Sequence, residues 1–136
     1  MFSNLRSLIF KLDPETAHNL AIKSLKFNLV PNILDQDKEN PLFQSKLFNK
    51  NLKNPIGMAA GFDKNAEVYN SLFKLGFGFV EVGTITPLTQ SGNPKPRVFR
   101  LVEDKALINR LGFNNQGCQN IFSRIKSNKQ KGMLGV

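Results

Sequence analysis

The stretch NPIGMAAGFDKNAEVYNSLFKLGFGFVEVGT, residues 54–84, decides the fold class of this chain. The apolar run at residues 56–60 predicts a short strand, and residues 79–82 predict a second strand that ends at a glycine and a threonine. The segment between them has the apolar spacing of a helix. A strand, a helix and a second strand in this order are typical of parallel α/β architecture.

The helix between these strands has recognisable ends. Asp63 or Asn65 can cap its first turn, and the helix is expected to run to about Leu75. Gly76 then suits the left-handed position that commonly follows a helix. The predicted apolar face consists of Ala66, Tyr69, Leu72 and Phe73.

Two amphipathic helices precede this unit and predict a helical hairpin. The first carries Leu5, Leu8, Ile9 and Leu12 on one face. Asp13 is a good N-cap for the second helix, and Pro14 suits its first position. The second helix presents Ala17, Leu20, Ala21 and Leu25 on one side. The polar, proline-bounded segment 31–41 is typical of a linker, so we predict a hairpin domain at 1–40 and a second unit at 41–136.

The rest of the second unit continues the α/β pattern. A small β-hairpin is expected around residues 47–54, and residues 97–102 alternate like a strand. Residues 115–126 predict a helix, with Asn115 as its cap. The apolar face of that helix is expected to hold Ile121, Phe122 and Ile125. MLGV at 133–136 resembles the start of a strand, and a strand that starts at the last residues is a sign of truncation.

Composition limits the possible functions. The net charge of +9 lies entirely in residues 41–136, because residues 1–40 carry five basic and five acidic side chains. Such an excess favours an anionic partner: a phosphate, a carboxylate, nucleic acid or lipid head groups. One cysteine and one histidine exclude an internal disulfide and a cysteine-based or multi-histidine metal site. No apolar run approaches the 18 residues expected of a membrane-spanning helix.

Two candidate site segments follow predicted strands. Residues 59–65, AAGFDKN, lie where the first strand ends, and Thr84 lies where the second ends. The carboxyl ends of parallel strands meet at one edge, where active sites of βα barrels form. Small residues there let backbone N–H groups approach a flat ligand, and Lys64 offers a cation to a carboxylate or a flavin. The alternative is a tight turn with a solvated lysine and a self-satisfied threonine.

Two further segments are rich in cations or carboxamides. Residues 92–100, GNPKPRVFR, interleave basic and aromatic side chains, which suits nucleic acid or a basic wall beside an anionic ligand. Residues 108–117, INRLGFNNQG, are dense in carboxamides, which can bind the edge of an imide or amide ring. The alternatives are a solvated loop and an ordinary Asn/Gly turn before a helix.

Together these segments carry a family resemblance. The ordered motifs DPETAH, NPIGMAAGFDKNAE, GFGFVEVGTITP, GNPKPRVFRLVED and LINRLGFNNQG are similar to class 2, quinone-dependent dihydroorotate dehydrogenases along nearly the whole chain. The resemblance implies the amino-terminal part of a (β/α)8 TIM barrel, preceded by a small helical domain. It also implies oxidation of dihydroorotate to orotate in pyrimidine biosynthesis, with FMN as cofactor and ubiquinone or menaquinone as electron acceptor. The helical hairpin is then expected to contact the cytoplasmic face of the inner membrane peripherally.

The resemblance also implies roles for individual residues. The family's flavin-contacting positions match Ala60, Gly61, Phe62, Asp63, Lys64 and Thr84. Lys64 additionally matches a substrate contact, and the segment that holds the orotate ring matches Asn109, Arg110, Leu111, Gly112 and Phe113. Positions beside the quinone path match His18 and Arg100. No role is expected for Cys118, which we predict to pack against a neighbouring helix.

The resemblance covers only part of the family's length. The family's catalytic serine, further flavin-binding and substrate-binding residues and the flavin phosphate site have no counterpart in these 136 residues. A closed (β/α)8 barrel needs roughly 200 or more residues. We therefore assign no catalytic residue here and expect no turnover by this chain alone. The alternatives are a non-catalytic truncated remnant and a basic module for nucleic acid or lipid. A nucleic-acid partner is not expected, because no recognition-helix pattern is present.

Overall fold

A parallel sheet forms the centre of the molecule. The computed structural model describes residues 7–29 and 41–136. The strands are β1 (Ser45–Leu47), β2 (Lys50–Leu52), β3 (Gly57–Met58), β4 (Phe79–Glu81), β5 (Val98–Leu101), β6 (Ala106–Asn109) and β7 (Met133–Gly135). The helices are α1 (Pro14–Lys26), α2 (Tyr69–Lys74) and α3 (Cys118–Ser127). Strands β3, β4 and β7 form one parallel sheet in that order, which confirms the predicted strand–helix–strand unit and the final strand.

The core lies where the helices pack against this sheet. Val80 of β4 is fully buried, and Leu72 of α2 and Ile121 of α3 are also inaccessible to solvent. Leu25 of α1 belongs to the same buried cluster. The three helices and the sheet therefore share one hydrophobic core. Burial of apolar surface in such a core stabilises the fold by about 25 cal/mol per Å².

The prediction for the start of α2 was wrong. The helix begins at Tyr69, and residues 63–68 form turns in which Ala66 has a φ of +53°. Its end was predicted correctly, because Gly76 follows it with a φ of +98°. The N–H of Gly76 donates to the carbonyl of Phe73 at 3.0 Å, and the N–H of Phe77 donates to that of Leu72 at 3.4 Å. This pair of hydrogen bonds is a Schellman motif.

The amino-terminal helices agree with the prediction in part. Asp13 caps α1 as expected, since its Oδ1 accepts the N–H of Thr16 at 2.9 Å, and Pro14 occupies the first turn. The preceding helix ends at residue 9 rather than 12. Leu5 and residues 31–40 of the predicted linker lie outside the described residues.

The predicted apolar face of α1 was also wrong in part. Leu25 is buried, but Leu20 is 53% exposed, and Ile22 packs against the core instead. The helix is rotated so that Glu15 and His18, rather than Leu20, face the rest of the molecule. Glu15 forms an ion pair with Arg97, and the His18 ring contacts the ring of Phe62, which is consistent with this orientation of the helix.

Two antiparallel hairpins are separate from this sheet. Strands β1 and β2 form the expected small hairpin. Strand β5 pairs with β6, a strand that was not predicted, through the register Val98↔Asn109 to Leu101↔Ala106. This pairing turns the chain so that the residues before β5 and after β6 come together.

Helix α3 differs slightly from its prediction. It begins at Cys118, and Asn115 lies two residues before the N-cap, Gly117, whose N–H donates to the Asn115 side chain at 2.8 Å. Ile121 is buried, but Phe122 is 44% exposed and was wrongly assigned to the core face. Within the described part of the chain, no helix has the length and apolar character required to cross a membrane.

Candidate functional site

A cleft opens at the carboxyl ends of β3 and β4. Its volume is about 290 Å³. It is lined by Ala60, Gly61, Lys64, Gly83, Thr84, Asn93, Asn109, Arg110, Leu111, Gly112, Phe113 and Asn114. The structure thus brings together four of the six predicted cofactor positions and all six predicted substrate positions, with Lys64 belonging to both sets. Of the other two cofactor positions, neither Phe62 nor Asp63 lines the cleft.

The glycines at the two strand ends form one side of the cleft. The N–H of Gly61 donates to the carbonyl of Gly83 at 2.8 Å, which joins the end of β3 to the end of β4. Gly61 and Gly83 have φ values of +104° and +108°, a region that side-chain-bearing residues rarely adopt. A Cβ added at Gly61 would meet no atom of residues 7–29 or 41–136 within 4 Å, so this surface is open toward them.

Lys64 provides a cation at this surface. Its Nζ donates to the carbonyl of Gly61 at 2.7 Å, which leaves further N–H donors for a ligand. Burial lowers the pKa of Lys64, and the positive charge of Arg97 adds to the decrease, whereas the carboxylates of Glu15 and Asp63 oppose it. Lys64 is therefore a partly desolvated ammonium group, which interacts more strongly with an anion than a solvated lysine does.

Asp63 supports Lys64 from inside the protein. It is 1% exposed, and its carboxylate accepts the N–H of Glu67 at 2.8 Å and of Val68 at 2.7 Å. Burial raises the pKa of Asp63, although these two hydrogen bonds work in the opposite direction. The side chain holds the turn that carries Lys64 and is not directed at the cleft.

The opposite wall is made of amide-bearing segments. The Asn93 N–H donates to the carbonyl of Leu111 at 3.0 Å, and its Nδ2 donates to the carbonyl of Arg110 at 2.7 Å. A Cβ at Gly112, whose φ is +73°, would lie 2.9 Å from the Asn93 nitrogen. The close approach of these two segments therefore requires a glycine. The buried Oδ1 of Asn114 has no hydrogen-bond donor among the described residues.

Three lining residues were not predicted as site residues: Gly83, Asn93 and Asn114. Asn93 belongs to the 92–100 segment, in which the cationic and aromatic side chains are a more prominent signal than its one carboxamide. Asn114 lies beside the predicted substrate segment. The density of carboxamides around residue 109 was the signal that could have included it.

The two predicted quinone residues lie at the junction between the amino-terminal helices and the rest. The His18 ring stands edge-on to that of Phe62, with a centroid distance of 5.2 Å. Burial lowers the pKa of His18, and the nearby charge of Lys64 lowers it further. Arg100 Nη1 donates to the Leu12 carbonyl at 2.7 Å, and its guanidinium carbon lies 4.7 Å from the centre of the Phe10 ring. Neither residue lines the cleft.

Comparisons of the chain with a family model and with known proteins all identify the same family. A family model described as dihydroorotate dehydrogenase matches residues 42–136. A protein of Rhizobium etli (strain CIAT 652) named "Dihydroorotate dehydrogenase (quinone)" is 53% identical over 131 residues, which are 96% of this chain and 36% of the relative. A protein of Rhodospirillum rubrum with the same name is 51% identical over 129 residues, 95% of this chain and 35% of the relative. These matches confirm the resemblance found in the sequence.

Solved structures show the same similarity. A crystal structure of DHODH from Eimeria tenella in complex with ferulenol is 41% identical, with a TM-score of 0.82, and the alignment covers 91% of this chain and 35% of that one. The ligand-free form from the same organism has a TM-score of 0.83. The chain spans about a third of the length of the relatives that it matches, at 35% to 36% coverage.

Proposed function

The chain belongs to the dihydroorotate dehydrogenase family, and from this we propose that its complete gene product oxidises dihydroorotate to orotate in pyrimidine biosynthesis. The observation that carries the proposal is the cleft itself. One side presents open glycine backbone and the Lys64 ammonium, and the other presents the amide-rich segment 109–114. A flat, anionic, amide-containing ring is the class of substrate that these groups would bind.

The proposed cofactor is FMN, and the cleft residues fit it. The small residues Ala60 and Gly61 leave a flat surface, and a Cβ at Gly61 would project into open space. Thr84 and Lys64 add a hydroxyl group and a cation beside that surface. When bound, FMN supplies the acceptor for the two electrons that dihydroorotate loses. Phe62 and Asp63 are proposed to support this surface from behind rather than to line it.

The substrate is proposed to lie between Lys64 and the 109–113 segment. The Lys64 ammonium would pair with the substrate carboxylate, and its desolvation strengthens that attraction. Asn109 would bind the ring amide, while Leu111, Gly112 and Phe113 shape the pocket around it. Among the described residues that line the cleft, the ionisable ones are Lys64 and Arg110. We assign neither as the base, so no catalytic residue is proposed in this chain.

We further propose a quinone as the electron acceptor and the amino-terminal helices as its entry. His18 and Arg100 would lie beside its path, at the contact between α1 and β5. Leu20 is 53% exposed, and Phe27 and Leu29 are 70% and 71% exposed. Exposed apolar side chains on an amphipathic helix and at its end suit peripheral contact with a membrane surface. The proposed location is the cytoplasmic face of the inner membrane.

The proposed architecture of the complete gene product is a (β/α)8 barrel behind a helical domain. The parallel order β3-β4-β7, with a helix in each connection, supports this. We also propose that residues 1–40 form the helical domain and that residues 41–136 begin the barrel.

The decisive experiment uses the complete gene product, purified with its bound cofactor. We expect FMN to be released on denaturation, and we expect the flavin absorbance to bleach when dihydroorotate is added without oxygen. Adding ubiquinone or menaquinone should then restore it, with one orotate formed per quinone reduced. A preparation that binds FMN but shows no bleaching with dihydroorotate would refute the proposed reaction.

A second candidate is a basic binding module, which the charge of +9 favours. It predicts DNA binding that weakens steeply with salt. Binding of that kind by the complete gene product, together with absence of flavin, would favour this alternative. Measuring the mass of the natural protein separates the complete enzyme from a truncated remnant, because the remnant would have a mass of 15.3 kDa.

A further inference from the structure

A largely buried ion pair joins helix α1 to the segment before β5. Glu15 accepts hydrogen bonds from Arg97 Nε at 3.2 and 3.1 Å and from Nη2 at 2.6 Å. Arg97 is 7% exposed, and the Glu15 side chain is 15% exposed. Two planar groups in this arrangement form a bidentate pair with a fixed relative orientation. The pair therefore sets the position of Arg97 relative to α1.

The Nη1 donors of Arg97 bind backbone carbonyls. Its Nη1 donates to the carbonyl of Ser91 at 2.7 Å and to that of Asn93 at 2.9 Å. A guanidinium has five N–H donors, and four of those of Arg97 are directed at Glu15 and at these two carbonyls. Arg97 does not line the cleft. It fixes the loop that carries Asn93.

Asn93 continues the connection into the cleft. It lines the cleft and binds the carbonyls of Arg110 and Leu111 through its side chain and its backbone. The backbone carbonyl of Arg97 also accepts the N–H of Arg110 at 2.9 Å. An unbroken series of hydrogen bonds therefore runs from Glu15 on α1 to the 109–114 segment.

We propose that Glu15 and Arg97 are positioning residues for the cleft: through this pair, helix α1 holds Asn93 and the 109–114 segment in the geometry that binds substrate. The inference rests on the proposed function for the identity of the ligand. Neither residue lines the cleft. Their effect is exerted through the position of the wall, and misplacement of binding groups by about 1 Å can cost on the order of a hundredfold in rate.

The structure supplies a matched control. Lys26, also on α1, pairs with Glu67 at 3.0 Å, but its side chain is 56% exposed and Glu67 does not line the cleft. Lys26→Gln removes the ion pair with Glu67, and Glu15→Gln removes the pair with Arg97 together with a longer contact of 3.5 Å to the exposed Lys95. Both variants therefore break ion pairing between the same helix and the rest of the molecule. Only Glu15→Gln interrupts the connection to the cleft wall.

The test compares these variants in the complete gene product with FMN bound. The Kd of orotate is measured by calorimetric titration, and kcat and KM are measured for dihydroorotate. Hydrogen exchange is followed for peptides covering 91–97 and 109–114. We expect Glu15→Gln to raise the orotate Kd and the KM roughly tenfold and to speed exchange in both peptides. Lys26→Gln should stay within about twofold of the unchanged protein.

Arg97→Lys is the second variant. Lysine keeps the charge but lacks the planar fork, so it cannot hold Glu15 and both carbonyls at once. The same loss of affinity is expected, and this variant decides the question if Glu15→Gln does not fold. An orotate Kd and exchange rates equal to those of Lys26→Gln would overturn the inference. If the unchanged protein does not bind orotate, the proposed function fails, and the exchange comparison alone then decides the positioning role.

Discussion

Replacing Asp63 with alanine should destabilise the protein, although Asp63 does not line the cleft. Its carboxylate accepts the N–H groups of Glu67 and Val68 at 2.8 and 2.7 Å, and the residue is 1% exposed. Hydrogen bonds to a charged group contribute about 1.5–3 kcal/mol each, so the two together contribute about 3–6 kcal/mol. Burial of the carboxylate opposes this gain, as its raised pKa indicates. We therefore expect a loss near the lower limit, about 3 kcal/mol.

The assay is urea unfolding of the complete gene product, followed by far-ultraviolet circular dichroism. Asp63→Asn keeps one carbonyl acceptor and should lose roughly half as much free energy of unfolding. Asp104→Ala is the matched control, because Asp104 is exposed in the turn between β5 and β6 and should change stability by less than about 0.5 kcal/mol. If Asp63→Ala were as stable as Asp104→Ala, the assignment of Asp63 as the support of the turn would be refuted.

Three further predictions concern packing, binding and pH. Gly78→Ala should lower the free energy of unfolding by about 1–3 kcal/mol in the same urea assay, since its Cβ would lie 2.0 Å from the Asn54 carbonyl oxygen. Lys64→Met should raise the Kd of orotate by about tenfold or more in calorimetric titration, while an unchanged Kd would remove Lys64 from the binding site. Hydrogen bonds from Arg97 hold the pKa of Glu15 below its usual range in the folded state. The stability that Glu15 contributes is therefore present above its unfolded-state pKa and is lost as the pH falls through its folded-state pKa. The difference in free energy of unfolding between the unchanged protein and Glu15→Gln should consequently become smaller on acidification.

The central sheet could be predicted because its signals are local. Residues 56–60 and 79–82 are short apolar runs, and Gly76 marks the end of the helix between them. The observed strands and the positive φ of Gly76 follow these signals. Asp13 and Pro14 likewise define the start of α1 by local chemistry.

The start of α2 could not be predicted because distant residues, together with Asp63, hold the preceding turns. The Asn65 side chain accepts the N–H of Gln116 at 3.0 Å, and Arg124 donates to the Asn65 carbonyl. These partners are 51 and 59 positions away in sequence. They hold residues 63–68 in turns, although the local pattern favours a helix. The same turns place Lys64 at the cleft.

The composition of the cleft was predictable only in part for a similar reason. Ala60, Lys64 and Asn109 follow strands or occupy conspicuous motifs, so sequence alone could assign them. Asn93 reaches the cleft because β5 and β6 pair and because Arg97 fixes its loop. Strand β6 was missed because residues 108–117 were interpreted by their carboxamides, although the polar turn at 103–105 separates two apolar runs.

The positive charge of the chain is a weak guide to its partner, because many of its cations have internal roles. In the 92–100 segment, Lys95 and Arg97 both pair with Glu15, and Arg100 donates to backbone carbonyls of the amino-terminal helices. A polyanion would need such cations to be available on one surface. Along the described lining of the cleft, the cations are Lys64 and Arg110, and Lys64 is partly desolvated. This arrangement favours one small anion in the cleft over an extended one across the surface, which is why the charge supports a carboxylate substrate better than nucleic acid.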